Sequence, residues 1–287
     1  MTPYSKGILL TTLGVLFVVP DSLFVRLITA DAITIAFWRL LGAGVLIGLG
    51  LLAVQGRAPF RAVLGTGWTG LIYGACTGLS GMMFVLAVSH TSVANVVFII
   101  ASMPVFAMLF SRIFLGEPIT RRMVMTIIAV GSGLGIIAYG SGETQGASIK
   151  GDLMALSVSA MFAGGLTAAR KVRHVPMVAA LPFAYVVVAL LILPLAAPFS
   201  VPPSQAPLFV VFAGFIAMSS MFLALGPRYI TSAEAALLVL LESILAPMLA
   251  WIVLGEDPGP WALAGGALVL GALFASNVYV LLRRRRA

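Results

Sequence analysis

Apolar residues in this chain neither alternate with polar ones nor form a single stripe; they run together. Ten stretches, at roughly 7–27, 33–54, 67–89, 93–111, 122–140, 151–170, 177–197, 207–226, 234–254 and 260–282, are almost wholly apolar and are joined by short polar connections. A helix of about twenty residues rises about 30 Å, the thickness of a bilayer's hydrocarbon core. The pattern therefore predicts ten membrane-spanning helices, referred to below as spans 1 to 10. A transmembrane barrel would show alternating segments of about ten residues, and none is found.

Two of the stretches repeat each other. Thr91 to Pro118 and Thr231 to Pro258 both open on Thr-Ser and a small residue, and both close on Leu-Gly-Glu before a proline. Superposing Leu115-Gly116-Glu117 on Leu254-Gly255-Glu256 also brings Ala107 onto Ala246 and Ile113 onto Ile252. Such an internal echo marks a duplicated unit. The expected division is 1–141 for the first repeat and 142–287 for the second, with five spans in each. Because five is odd, the second repeat enters the membrane from the opposite face. The fold class expected is an all-α integral membrane protein of two inverted five-helix repeats.

Composition and charge refine this picture. Hydrophobic residues make up 61% of the chain and charged ones 9%, with a mean hydropathy of +1.13. Soluble domains carry about 25% charged residues, so a water-facing surface is excluded. The net charge of +8 reads as membrane topology rather than as a nucleic-acid footprint. With the amino terminus inside, the cytoplasmic segments hold Lys6, Arg57, Arg61, Arg112, Arg121, Arg122, Arg170, Lys171, Arg173, Arg228 and Arg283 through Arg286, most of the 17 basic residues. Basic loops stay cytoplasmic, so both termini are expected inside. No cleavable leader is read at the start. The lone Cys76 excludes an internal disulfide.

A resemblance now becomes visible. The 5+5 duplication, Phe37-Trp38-Arg39-Leu40-Leu41 in span 2 and the Leu-Gly-Glu-Pro ending of span 4 resemble the EamA-type branch of the drug/metabolite transporter superfamily along essentially the whole chain. That resemblance implies export of amino acids, including aromatic ones, or of other small metabolites across the bacterial inner membrane. It implies a proline at the middle of span 4, matched by Pro104. It also implies Glu-Pro at the counterpart in span 9, where Glu242 matches but Ser243 stands in the proline's place. Pro247 follows one turn later, so a displaced kink is expected. The superfamily's four-span multidrug exporters place a carboxylate deep in span 1; here the first acid is Asp21, near that span's outer end.

The candidate substrate-binding residues are polar or adaptable groups at membrane depth. Glu242 lies about eight residues, or about 12 Å, into span 9, where an ionisable group marks a functional site by default. It reads either as a cavity carboxylate that binds an ammonium group or carries a coupling proton, or as a hydrogen-bonded strut. Arg39 offers a carboxylate clamp through its guanidinium, or a pair with Asp21 or Asp31. Trp38 beside it lines the cavity or belongs to the interfacial aromatic belt.

Asn95 and Ser102 share one face of span 4 with Ile99 and Phe106. A cavity wall is the preferred reading there, with hydrogen-bonded glue between helices the alternative. Ser80 and Met83 of span 3 resemble Ser219 and its Met-Phe neighbours in span 8, which suggests an adaptable pocket or simple filler. Gly70, Gly74 and Gly78 form a smooth packing stripe. Gly131-Ser132-Gly133-Leu134-Gly135 suits an internal contact or a dimer face. Glu117 and Glu256 mark span ends, where they can meet amides or cations.

Neither a metal nor a cofactor is expected: His90 and His174 have no partners at ligand spacing, and no Walker motif occurs. Two histidines in separate loops offer no convergent acid, base or metal cluster, so an enzyme is not expected. Inverted repeats are a recurring build of secondary transporters, with the substrate site near mid-membrane. The function expected is a secondary carrier exporting a small-molecule substrate, as a monomer or weak homodimer in the lipid bilayer. Broad drug or metabolite efflux, a channel and a membrane-embedded enzyme are the alternatives.

Overall fold

The computed structural model describes residues 2–142, 146–172, 174–226 and 229–286, excepting the side chains of Ser232, Ala233 and Arg283 to Arg286. Arg173 and Arg228 of the basic count lie outside the described residues. Ten helices long and apolar enough to span a membrane begin and end within a few residues of the predicted limits. No strand occurs among the described residues.

Span 1 comprises α1 (Pro3–Val18) and α2 (Asp21–Leu27), and span 2 is α3 (Ala32–Gln55). A short helix, α4 (Ala58–Leu64), fills the connection to α5 (Trp68–His90), which is span 3. Span 4 comprises α6 (Val93–Ile100) and α7 (Met103–Leu115), and span 5 is α8 (Arg121–Gly140). Spans 6 to 10 are α9 (Ile149–Lys171), α10 (Leu181–Ile192) with a preceding 3-10 turn, α11 (Ala206–Leu225), α12 (Ser232–Leu254) and α13 (Gly259–Arg286).

Proline sets both mid-span breaks. It cannot donate to the carbonyl four residues back, and its ring crowds that carbonyl. Span 1 breaks at Pro20, between α1 and α2. Span 4 breaks at Ala101 and Ser102, just ahead of Pro104. In hydrocarbon the freed carbonyls need other donors. The Ser102 hydroxyl donates to the Ile99 carbonyl at 2.6 Å, and the Ser159 hydroxyl reaches the Ile100 carbonyl at 3.4 Å. Pro247 behaves differently from expectation: α12 continues through it without a break.

The repeated Leu-Gly-Glu endings have one geometry. Gly116 and Gly255 adopt left-handed backbone, at φ 71° and 68°, and terminate α7 and α12. Glycine takes that conformation without a side-chain clash. At the start of the repeat the structure keeps the register of the Leu-Gly-Glu superposition and sets aside the look-alike Thr-Ser openings. The helix N-caps are Ser92 and Thr231, not the two threonines that look alike in sequence. The interval from Ser92 to Thr231 equals that from Glu117 to Glu256, so one register runs through without a gap.

Packing follows the same duplication. α5 lies against α9 as α11 lies against α1, while α3 pairs with α10 and α8 with α13 across the pseudo-axis. At the last of these crossings Gly133 and Gly265 meet, where a Cβ on either would fall 2.8 Å or less from the other's carbonyl oxygen. Gly131 and Gly135 face open space, so the internal contact belongs to Gly133 alone. Large apolar side chains such as Ile113, Met125, Ile128 and Ile252 are exposed around the bundle, as a lipid-facing surface requires.

Candidate functional site

A cavity of about 380 Å³ lies in the middle of the bundle, walled by residues from both repeats. The break at Pro20 places Asp21 at the first position of α2, and Asp21 lines this cavity opposite Arg39 of α3. Arg39 donates through Nε to Asp21 Oδ1 at 2.9 Å and through Nη2 to Oδ2 at 2.5 Å. Its Nη1 donates to the Gly81 carbonyl at 3.3 Å. The Phe84 and Phe212 rings stand 5.3 and 5.8 Å from the guanidinium. Both partners are buried, at 7% and 3% exposure. This is the fork geometry in which a guanidinium holds a carboxylate most strongly.

Glu242 of α12 reaches the same cavity. It is deep within the protein yet only partly buried, because what it faces is the cavity itself. Among the described residues its carboxylate has no hydrogen bond and no ion pair. Ser219, Ser220, Tyr185 and Asn277 supply further polar groups to the wall. The remainder is apolar, including Val97, Ile100, Leu240 and Leu273.

The chamber communicates with one face. A second cavity of about 370 Å³ shares Met103, Pro104, Ala236, Leu273 and Asn277 with it and continues past Arg122, Arg170 and Glu117. With ten crossings, this near face is where the chain begins and ends. Arg170 Nη1 donates to Ser111 Oγ at 3.0 Å and to Glu117 Oε2 at 3.4 Å.

At the far face the way is shut. Seven of the eight residues of α6, Val93 through Ile99, are buried. Glu256 accepts from the Val93 amide at 2.6 Å, and Arg26 Nε lies 3.2 Å from the Glu256 carboxylate. Arg26 Nη2 also donates to the Thr91 carbonyl at 2.9 Å. Behind this pair, Asp152 accepts from the Thr91 hydroxyl at 2.8 Å, from Asn95 Nδ2 at 3.1 Å and from Ser141 at 2.5 Å.

Of the residues selected in sequence, the structure brings Arg39, Ser219 and Glu242 together at the central cavity. Ser219 also donates to the Gly14 carbonyl at 2.8 Å. Asn95 belongs to the Asp152 cluster, and Ser102 bonds Ser159 at 3.0 Å across the break in span 4. Ser80 donates to the Thr77 carbonyl within its own helix. Met83 packs against the core, while Gly81 and Phe84 of the same span line the cavity. Trp38 stacks near Phe37 and Phe209 and donates to the Pro198 carbonyl at 3.3 Å, away from the cavity wall. Asp21, Tyr185, Ser220 and Asn277 were not selected. The available clue for Asp21 was its place directly after a proline inside an apolar run.

Two inverted five-helix repeats around a central, largely apolar chamber that holds a few charged and polar groups are a recurring build of membrane transporters. Comparison with known proteins narrows the class. The EamA-like transporter family model matches residues 5–139 and again 149–278, and the chain belongs to that family, within the drug/metabolite transporter superfamily. A solved structure described only as the crystal structure of a protein is similar over 99% of both chains, at 18% identity and a TM-score of 0.65. At that identity the likeness concerns the fold alone. No curated protein matches the chain.

Proposed function

We propose that this protein is a secondary carrier that exports small metabolites, amino acids foremost, across the bacterial inner membrane by alternating access, with both termini cytoplasmic. The observation that carries the proposal is the unequal state of two equivalent mouths. Arg26 and Glu256 at the far mouth correspond to Arg170 and Glu117 at the near mouth. Gly7 and Arg26 are spaced as Gly151 and Arg170 are, and both glycines abut the residues that precede the helix of the other repeat's broken or continuous span. The far pair grips the head of α6 and borders a recess that shares no lining residue with the chamber, whereas the near pair borders a cavity that shares its wall with the chamber.

Exchange of conformations between the repeats closes the near mouth in the same way. Glu117 then accepts from the Ser232 amide, and Arg170 donates to the Ile230 carbonyl, as Glu256 and Arg26 do with Val93 and Thr91. The basic loops set the open mouth toward the cytoplasm, the side from which an exporter loads. Rocking of one repeat against the other around a fixed site is the usual form of such a transition.

Counterflow in proteoliposomes tests the proposal. Vesicles loaded with unlabelled amino acid should accumulate the labelled one transiently and saturably. Conductance without saturation would indicate a channel, and the absence of accelerated flux for any solute would refute transport.

A further inference from the structure

We infer that the central cavity captures its solute through a protonated amine at Glu242 and makes no ionic contact with a carboxylate. This rests on the carrier reading above and specifies its substrate chemistry. The described charged groups of the wall are Asp21, Arg39 and Glu242. Arg39, the only cation among them, is committed: Nε and Nη2 go to Asp21, Nη1 goes to Gly81, and aromatic rings flank the guanidinium. A solute carboxylate would have to displace Asp21 and leave that buried acid without its cation, which is strongly unfavourable.

Glu242 is the opposite case. It faces the cavity, and among the described residues it has no hydrogen bond and no ion pair at contact distance, although Arg39 and Asp21 act on it through space. With Asp21 and Arg39 neutralising each other, Glu242 in its ionised form is the one unpaired charge on the described wall. A monocation makes the filled site neutral, whereas an anion sets two like charges in a low-dielectric chamber. An ammonium group carries three donors. Beside Glu242 the wall offers Ser219, Ser220 and Asn277 as further acceptors. The apolar remainder suits a hydrocarbon side chain, and about 380 Å³ accommodates a solute of amino-acid size. An α-carboxylate is thus tolerated where it points along the open path, but it is not read.

A series built on one side chain separates the possibilities. Isopentylamine, leucinamide, leucine, N-acetylleucine and 4-methylpentanoate would be titrated calorimetrically into the purified full-length protein. The three amines should bind within a few-fold of one another, and the two compounds without an amine at least ten-fold more weakly. Glu242→Gln should weaken amine binding at least ten-fold, while Glu242→Asp, which keeps the charge, should restore most of it and shows that the site remains folded. Binding of N-acetylleucine as tight as that of isopentylamine, unchanged amine affinity in Glu242→Gln, or no binding of any amine would overturn the inference. Amine binding without counterflow of any solute would refute the carrier reading and leave this one standing. Saturable counterflow of N-acetylleucine unaffected by amines would do the reverse.

Discussion

The two mouths of the chamber contain the same residue types at equivalent places and stand in opposite states. At the far mouth, the Arg26 and Glu256 side chains are 28% and 22% exposed; at the near mouth, those of Arg170 and Glu117 are 51% and 49% exposed. The ion pair itself is not what differs. Glu256 also holds the first amide of α6, at the positive end of that helix, and Arg26 holds the carbonyl just before it. Among the described residues, Glu117 and Arg170 hold each other and Ser111 only. The lesson is that an arginine–glutamate pair closes a mouth only when it also captures the head of a helix from the opposite repeat.

Substitutions can test that contrast, beginning with the largest expected effect. Asp21→Asn removes one partner of a buried pair that belongs to neither mouth, and should cost about 3–5 kcal/mol. Chemical unfolding in detergent should register this loss whichever mouth is open. Glu256→Ala removes a charge-assisted bond to the Val93 amide together with the Arg26 pair, for about 1.5–3 kcal/mol. It should raise far-side labelling of a cysteine placed at Ser92, and Arg26→Glu should do likewise. Exchanging both charges, Arg26→Glu with Glu256→Arg, should recover the pair but not the amide bond, so closure should return only in part.

Asp152→Ala strands the Thr91, Asn95 and Ser141 donors, at about 1–3 kcal/mol, and should loosen the same mouth without touching the ion pair. Glu117→Ala should be nearly silent in the stability of this state, at about 1 kcal/mol or less for an exposed pair. It should nevertheless slow counterflow, because the bond it removes forms in the opposite state. Equal effects of Glu117→Ala and Glu256→Ala on the stability of the near-open form would dissolve the contrast.

Much of this architecture was legible in the sequence. The ten spans and the inverted duplication follow from the length and parity of the apolar runs, which no tertiary contact can reverse. The Leu-Gly-Glu endings likewise foretold where Glu117 and Glu256 stand and what kind of groups they meet. Less was legible inside the bundle. Helical spacing put Asn95 and Ser102 on one face but could not say that α9 lies against it, where Asp152 and Ser159 turn that face into a seam. Asp21 looked terminal because a span is counted by length, whereas the break at Pro20 makes its position interior. The repeated Thr-Ser pair is offset by one residue from the register that the Leu-Gly-Glu endings set, since both residue types cap helices and only the backbone shows that Ser92 and Thr231 are the equivalent caps.

Reciprocal motion of the two mouths is measurable in one experiment. Spin-label pairs at Ile119 and Leu282 across the near mouth, and at Leu27 and Asp257 across the far mouth, would be introduced with Cys76 replaced, and their distances recorded in lipid nanodiscs. Glu256→Ala should shift the far pair toward longer distances and the near pair toward shorter ones in the same sample. Far-mouth widening with an unchanged near pair, or lengthening of both, would contradict the exchange of conformations between the repeats.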